Sequence, residues 1–587
     1  MRCWKLLVIL VCAWPWAVAF GEPLLPPGST PLSTGSCVSI SIPGDDAAPR
    51  PASPRSIEAE MILKRAENGD AQAQFVAGLY YWEGKQIPQN SRLAVRYMEQ
   101  AIAAGNADAK GVLGTWLVEG KLIPRDLEKG ERLLREAAEA GTPKAQNNLG
   151  FFLLTRNPRE AVEWLRKAAE KGVPDAEFNL SVVYRSGNGV EKDEIEEMKW
   201  LERAAKHGKV QAMQTLADYY GAGHGAVAKN TELAVAWTRK ATAGGALPAQ
   251  TNLGVRYWMG EGVLTDKELA VKYFRESAEK GDAIAQDYLA RAYQEGLGVD
   301  KDMAQAALWY AKAAERGHTH AQLILGIMYF NGEGVKKDVA ASIEWLRKAA
   351  NLGNHRAEAC LGEIFWLGKE VPRDPSRAVE YFRKAAEAGE AVSQYFLAAA
   401  YSEGDGVEKD VTAASNWCAK SAANGCLRAQ SQHAMHLIKY FTDPQKKAEA
   451  LEWMIKAAER GEPMAQAQYG IWRMRGDYGI EINAKEAAEW MRFSALQGCS
   501  RGENAYGYAL DTGEGVERDL VEAYKWYTLA IKHNGEPEAK QRAEFNLRAL
   551  LPRLTPEQIE EGRRRAENFT PIEEKKGVDD PFAVGVS

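Results

Sequence analysis

The sequence predicts an all-α protein, a right-handed α-solenoid of about thirteen helix pairs, and three observations lead to this prediction. A seven-residue string of the form Gly-x-Gly-Val-x-x-Asp recurs along the chain. A further glycine recurs at steps of mostly 36 residues. Each interval between these glycines carries two apolar stripes with helical spacing. Two helices alone cannot bury both stripes, so the pairs are expected to stack on one another.

The recurring string is predicted to be the turn inside each helix pair. Its copies occupy residues 187–193, 260–266, 296–302, 332–338, 404–410 and 513–519. In the copy that ends at Asp338, the aspartate stands at the N-cap position of the next helix, where its carboxylate can accept free backbone N–H groups. Glycines and lysines before a helix also suggest a phosphate loop. The lysines vary between copies, however, and the preceding strand and the Gly-Lys-Ser/Thr of such a loop are absent.

The further glycine sets the register of the pairs. It occurs at Gly69, Gly105, Gly141, Gly172, Gly208, Gly245, Gly281, Gly317, Gly353, Gly389, Gly425, Gly461, Gly498 and Gly535. We call these the closing glycines, because each is expected to end a second helix in the left-handed conformation that strains other residues. The register predicts a repeat region over residues 56–535.

An aromatic residue recurs eight positions before the closing glycine. The row consists of Tyr97, Trp164, Trp200, Trp237, Tyr273, Trp309, Trp345, Tyr381, Trp417, Trp453 and Trp490. Such a row could form a platform for sugars or bases, but each member lies within the apolar stripe of its helix. We therefore predict that the row packs in the core.

The chain ends differ in composition from the repeat region. Residues 1–19 are predicted to be a signal peptide, because an apolar run follows two basic residues and Ala-Val-Ala closes the segment. Residues 20–55 are rich in proline and serine and are predicted to be a disordered linker. Two capping helices are predicted over 536–570, the second starting with a capping box, and a disordered tail over 571–587. No later segment has the roughly 20 apolar residues of a membrane span.

Charge and cysteine content narrow the function classes. The formal net charge is -6 and the isoelectric point is near 6.0, without a basic block, which disfavours nucleic acid as a partner. Cys418 lies mid-helix in the predicted register and Cys426 lies beyond the end of that helix, roughly 12 Å along the axis. We predict no disulfide.

One unit carries a family resemblance. Residues 317–350 follow the pattern G-x-x-x-AQ-x-x-LG-x-x-Y-x-x-G-x-GV-x-x-D-x-x-x-A-x-x-W-x-x-KAA. This pattern resembles the Sel1-like repeat (SLR), a relative of the tetratricopeptide repeat (TPR), and the resemblance extends over about four-fifths of the chain. Members of that family are generally adaptors that assemble other proteins. The resemblance therefore implies a scaffold that lacks catalytic activity.

No residue motif in the sequence predicts a catalytic or metal-binding site. Ser277 and Lys280 form a Ser-x-x-Lys string at a helix end, but the partner motifs of β-lactam-binding enzymes are absent. His433 and His436 share a helix face without a third ligand. We predict no catalytic residue, no cofactor and no metal.

Four aromatic residues are the candidate partner contacts. Trp82, Trp258, Phe330 and Trp366 occupy the same position at the end of a first helix, where polar residues occur in other repeats. If this edge faces the groove of the solenoid, these side chains can anchor a partner. Packing against the next turn is the alternative.

The predicted function is that of an exported scaffold, in a bacterial periplasm or outside the cell. It is expected to bind a protein or peptide along the concave face, as a monomer, without nucleic acid, membrane span or catalysis. The alternative is an envelope ligand-binding protein or an enzyme that acts on cell-wall fragments, with the aromatic row as its platform. An RNA-binding helical repeat is disfavoured by the leader and the net charge.

Overall fold

The structure is a computed structural model that describes residues 57–84, 86–225, 227–440, 442–533 and 537–572. Within these ranges it contains 29 α-helices, and its only extended pairing is an isolated bridge between His224 and Val227. The predicted signal peptide, the predicted linker and residues 573–587 of the predicted tail lie outside the described residues.

The chain divides into two compact units, residues up to 292 with 296–300, and residues 293–295 with those from 301 onward. The helices of the first unit are α1 (Ile57–Glu67), α2 (Ala71–Glu83), α3 (Ser91–Ala103), α4 (Ala107–Glu119), α5 (Leu127–Glu139), α6 (Pro143–Leu153), α7 (Pro158–Glu170), α8 (Pro174–Ser186), α9 (Glu194–Lys206), α10 (Val210–Ala222), α11 (Thr231–Ala243), α12 (Leu247–Met259), α13 (Lys267–Glu279) and α14 (Ala283–Glu295), the last three residues of α14 grouping with the second unit.

The helices of the second unit are α15 (Met303–Glu315), α16 (Thr319–Asn331), α17 (Val339–Asn351), α18 (His355–Leu367), α19 (Pro375–Glu387), α20 (Ala391–Glu403), α21 (Val411–Ala423), α22 (Leu427–Tyr440), α23 (Pro444–Glu459), α24 (Pro463–Arg475), α25 (Ala484–Leu496), α26 (Ser500–Thr512), α27 (Leu520–Lys532), α28 (Pro537–Leu550) and α29 (Pro556–Glu567). From α2 onward, even-numbered helices are the first and odd-numbered helices the second of a pair. Each first helix packs on the second helix that follows it, which confirms the predicted solenoid of about thirteen pairs.

The turn that carries the recurring string has the predicted construction in the copy that ends at Asp338. The Asp338 carboxylate accepts the Ala341 N–H at 3.0 Å and caps α17. Gly334 has φ +70, and a Cβ at this position would collide with the carbonyl oxygen of Met303 at the start of α15. Two physical constraints therefore require glycine at the second glycine position of the turn: its backbone conformation and the close approach of the preceding repeat.

The closing glycines also behave as predicted. The thirteen within the described ranges, from Gly69 to Gly498, all have positive φ, whereas Gly535 lies outside these ranges. This confirms the register for those thirteen positions.

The core is offset by one residue from the predicted aromatic row. Leu346, Phe382 and Met454 each follow a member of the row and are fully buried. Of the row itself only Trp200 is buried, and the other ten rings are half-buried. The predicted core packing is confirmed in part: Trp200 belongs to a core cluster, and six others pack against one while staying partly exposed, namely Tyr97, Trp164, Trp237, Trp417, Trp453 and Trp490. The residue after the aromatic points at the preceding first helix, so the aromatic itself lies at the rim of the core.

The C-terminal end folds back on the last repeats. Thr555 and Gln558 form the predicted capping box at the start of α29. After α29 the Phe569 ring packs edge-on against Trp526, with centroids 5.0 Å apart, and Pro571 lies over Gly498. The Ile572 N–H donates to the carbonyl of Leu496 at 2.8 Å, which ties the chain to the end of α25.

Candidate partner-binding face

The first helices form the inner layer in each unit. Helix α4 contacts α6, α24 contacts α26, and α26 contacts α28, whereas second helices ahead of the C-terminal cap make no comparably extensive contacts with each other. In a curved stack, the layer whose successive helices approach each other lies on the inside of the curve. The inner face is therefore the face that the first helices present.

Polar side chains line the inner face of the first unit. Asn148 donates Nδ2–H to Thr115 Oγ1 at 3.0 Å, and Asn179 donates Nδ2–H to Asn147 Oδ1 at the same distance. Both hydrogen bonds join first helices of neighbouring repeats. They cross-link the inner layer, and one partner of each bond, Thr115 or Asn147, is buried.

Asp218 shows how enclosed this face is. Its side chain is exposed to solvent, yet the protein around it hinders hydration of the carboxylate and raises the pKa to about 6, an effect that nearby Arg256 partly offsets. The same desolvation lowers the pKa of Arg256. Ionisable groups on a flat outer surface would not lose hydration while remaining accessible to water.

The second unit carries an apolar column on its inner face. We define the inner column as the tenth residue after four consecutive closing glycines: Met435, Ile471 and Tyr508 in the last three helix pairs, and Phe545 in the capping helix α28. Met435 and Ile471 are half-buried, whereas Tyr508 is 49% and Phe545 73% exposed. Tyr508 and Phe545 are thus exposed aromatic residues on two helices in contact, α26 and α28, and soluble proteins rarely leave such apolar surface without a function.

Basic residues border the inner column. Lys439 and Arg475 each stand one helical turn beyond the column residue of their helix, and Arg548 lies three residues beyond Phe545. All three are exposed. Apolar rings beside cations suit a segment that carries apolar and acidic side chains together.

The structure buries two of the four predicted partner contacts. Trp82 is 7% exposed and stacks on Trp116 with ring centroids 3.8 Å apart. Trp258 is 4% exposed, and the Lys267 ammonium lies 4.0 Å from its ring centroid. Rings this enclosed present little surface to a partner.

The other two predicted contacts remain half-buried. Lys337 lies 5.7 Å from the ring centroid of Phe330, and Arg373 lies 5.2 Å from that of Trp366. Trp366 also packs on the Phe382 ring at 6.1 Å. A role in partner binding stays a prediction for these residues, since no contact of the structure tests it.

Lysines cover the aromatic row at the rim. The ammonium group of Lys312 lies 3.7 Å from the ring centroid of Trp309, and that of Lys348 lies 3.7 Å from the ring centroid of Trp345. Further lysines cover Trp164, Trp237 and Trp417 in the same way. These cation–π contacts occupy the ring face on which a sugar or a base would stack. The arrangement gives the saccharide platform no support.

Three buried carboxylates, Glu177, Glu358 and Glu503, replace a recurring glutamine, and the first and the last are fully buried. Five residues after the closing glycine, a glutamine usually donates Nε2–H to a carbonyl near the end of the preceding second helix, as Gln322 does to Ala314 at 3.1 Å. Glu177 at this position is fully buried and is paired with Arg203 at 3.1 Å and His207 at 2.8 Å. Glu503 is also fully buried, but among the residues that the structure describes its only ionisable partner within salt-bridge distance is His533, at 2.7 Å.

The two environments differ in charge. Burial raises the pKa of Glu503 to about 8 and lowers the pKa of His533, so near neutral pH the neutral forms of both groups are favoured. One carboxylate oxygen of Glu503 has no hydrogen-bond partner. The sequence already indicates both sites, because glutamate stands where most repeats have glutamine. Whether that glutamate is charged depends on neighbours 26 to 30 residues away along the chain.

His433 and His436 form no metal site with a third ligand among the described residues that surround them. Burial lowers the pKa of both imidazoles. Nδ1 of His433 has no hydrogen-bond partner, and its ring packs edge-on against Trp453. His433 occupies a core position that is leucine in most repeats, such as Leu325.

Comparison with known proteins agrees with this architecture. The Sel1 repeat model matches thirteen segments between residues 71 and 535. The chain therefore belongs to the Sel1 repeat family. A protective antigen of uropathogenic Escherichia coli with an SLR fold is similar to it, at 29% identity and a TM-score of 0.50, over 88% of this chain and 94% of that chain.

Curated relatives match only short segments. Chitin synthase regulatory factor 3 of Schizosaccharomyces pombe is 34% identical over 93 residues, which are 16% of this chain and 10% of that protein. Chitin synthase regulator SKT5 of Malassezia restricta is 33% identical over 100 residues, 17% of this chain and 7% of that protein. The chain thus spans a tenth or less of the length of either relative, so the similarity concerns the repeats.

None of the described helices is both long and apolar enough to cross a membrane.

Proposed function

We propose that this chain is an exported scaffold that binds a partner protein or peptide through its inner face and performs no catalysis of its own. The inner column of the second unit is the observation that carries the proposal. Sel1 repeat proteins commonly act as protein-interaction scaffolds, which supports the general class. The inner column indicates where on this chain the partner would bind.

The column has the composition of an interaction surface. Its two exposed aromatic rings supply large apolar area with few rotatable bonds, so little conformational entropy is lost when they are covered. The half-buried Met435 and Ile471 extend the column over two further repeats. Nothing in the helix packing explains why Phe545 is left 73% exposed.

Export is the second part of the proposal. It rests on the basic residues, apolar run and Ala-Val-Ala site of residues 1–19. Sequencing the N-terminus of protein recovered outside the cytoplasm tests it, and we expect the mature chain to start at Phe20. A product that retains Met1 in the cytoplasm would refute export.

Affinity capture with crosslinking tests partner binding. We expect the tagged wild-type chain to recover one or two proteins, and the variant Tyr508→Ser with Phe545→Ser to recover them at a level about ten-fold or more lower, as is usual for central aromatic contacts. Leu308→Ser is the control, because Leu308 is 48% exposed on the second helix α15. Equal recovery by both variants would contradict the proposed face.

The alternative, a ligand-binding protein or enzyme acting on cell-wall fragments, is tested by tryptophan fluorescence in the presence of glycan fragments. Rings whose faces are covered by lysine should not respond. A saturable change that Trp345→Phe abolishes would favour the alternative.

A further inference from the structure

The C-terminal segment starts close to the inner column. Ile572 is hydrogen-bonded to Leu496 at the end of α25, and only three residues separate Leu496 from the start of α26. Tyr508 is the ninth residue of α26, so it lies about 12 Å along the helix from that start at 1.5 Å per residue. The anchor of the tail and Tyr508 are thus on consecutive helices of two neighbouring repeats.

The chain beyond the anchor is long enough to reach the column. Phe582 follows Ile572 by ten residues, which span up to about 33 Å when extended. This length exceeds the roughly 12 Å along α26 plus the width of one helix, about 10 Å. No rearrangement of the helices is needed for Phe582 to arrive beside Tyr508.

The composition of the segment matches the column. Residues 579–584 read Asp-Asp-Pro-Phe-Ala-Val, two acidic residues followed by an aromatic and a branched apolar residue. The column offers two exposed rings, with Arg548 on the helix of Phe545 and Arg475 on the helix of Ile471. Opposite charges would set the register, and the apolar side chains would cover the rings.

We propose that residues 579–584 of the same chain bind the inner column, with Phe582 against Tyr508 and Phe545 and with the two aspartates beside the bordering arginines. The segment then occupies part of the surface that the proposed function assigns to a partner. This regulatory consequence rests on the proposed function, whereas the intramolecular contact does not. A partner would have to displace the segment before it could bind.

Site-specific photocrosslinking of the purified full-length chain tests the contact. The photoreactive residue is introduced as Phe545→p-benzoylphenylalanine, with Leu308→p-benzoylphenylalanine as the control on a second helix of the same unit. We expect mass spectrometry to find crosslinks from position 545 to residues 579–584 within one chain, and none to these residues from position 308. Crosslinks from position 545 that join two copies, or that reach only helical residues, would overturn the proposal.

A charge-matched pair of variants separates recognition from mere proximity. Asp579→Lys with Asp580→Lys should lower the crosslink yield about five-fold or more, the effect of losing two exposed ion pairs. Glu573→Lys with Glu574→Lys makes the same change in net charge next to the anchor and should leave the yield within about two-fold. Equal loss in both variants would overturn the assigned register.

Partner capture distinguishes this inference from the proposed function. If both are right, a chain ended after Ile572 recovers more partner than the full-length chain does. Crosslinks without any partner recovery, with or without the tail, would retain the contact and refute the scaffold. Partner recovery without crosslinks would refute the contact alone.

Discussion

Replacing Glu503 with glutamine should stabilise the last repeats, and increasingly so as the pH rises. The pKa of Glu503 is raised to about 8 in the folded chain from an ordinary value of 4.5. The folded state therefore binds this proton more tightly than the unfolded state does. Its contribution to stability is fully present below about pH 4.5 and is lost as the pH rises toward 8.

The magnitude follows from the two pKa values. Each unit of difference corresponds to about 1.4 kcal/mol, so raising the pH from 6 to 8 should cost the wild type at most about 2 kcal/mol. The neighbouring His533 reduces this cost to the extent that it accepts the proton. Glu503→Gln removes the ionisable group and restores the residue that most repeats carry here, so its advantage over wild type should grow by a similar amount.

Hydrogen exchange measured by mass spectrometry is the suitable assay, because stability in stacked repeats is local. Exchange in peptides from α26 and α27 is measured for wild type and variant at pH 6 and again at pH 8. The two chains are compared with each other at each pH. Glu177→Gln is the matched control: it removes the carboxylate that pairs with Arg203 and His207, and it should destabilise α8 and α9 by about 1–2 kcal/mol at neutral pH. An advantage of Glu503→Gln that stays constant with pH, or the same sign for both variants, would refute the argument.

Three further substitutions test the repeat itself. Gly334→Ala should cost at least about 1 kcal/mol more in urea unfolding than Gly317→Ala, because both glycines have positive φ but only Gly334 would collide with the Met303 carbonyl; equal costs would refute the clash. Asp338→Ala should cost about 1 kcal/mol through loss of the cap, and Asp338→Asn much less, by the same assay. His433→Leu should stabilise by about 1 kcal/mol, since it removes a buried nitrogen without a partner. Burial lowers the pKa of this imidazole, so wild type should lose more stability than the variant as the pH falls through about 6.5 in thermal scans of both chains, which share the other buried imidazoles such as His436.

The architecture could be predicted because its determinants are local. Gly334 and Asp338 fix the turn and the helix start from positions four residues apart, and Gly353 ends the same helix. Each rule acts within a few residues, and repetition over thirteen pairs removes chance agreement. The same pattern gave the family, because its motif residues are the residues that form the fold.

The depth of individual side chains could not be predicted in this way. Trp345 and Leu346 both belong to the apolar part of α17, and helical spacing does not tell which of two adjacent residues faces the preceding first helix. Trp82 and Trp366 likewise share one repeat position but differ in exposure, since Trp82 stacks on Trp116 of the next repeat at 3.8 Å, whereas Trp366 meets Phe396 of its next repeat only at 6.3 Å and at a tilt. Burial is decided by neighbours about one repeat away, which a single-unit pattern does not contain.

Departures from the repeat carry the information about function that the repeat itself lacks. The motif positions are satisfied by packing, so they can be identical in two proteins with different partners. Glu503 stands where glutamine recurs, and Tyr508 and Phe545 stand where earlier repeats of the same unit place Ala399 or Glu363. A register that aligns every repeat therefore does more than define the fold: it isolates the few positions whose residues the fold does not require. In this chain Glu503 is such a position inside the last repeat, and Tyr508 and Phe545 are such positions on the inner face, where a partner and residues 579–584 are both expected to bind.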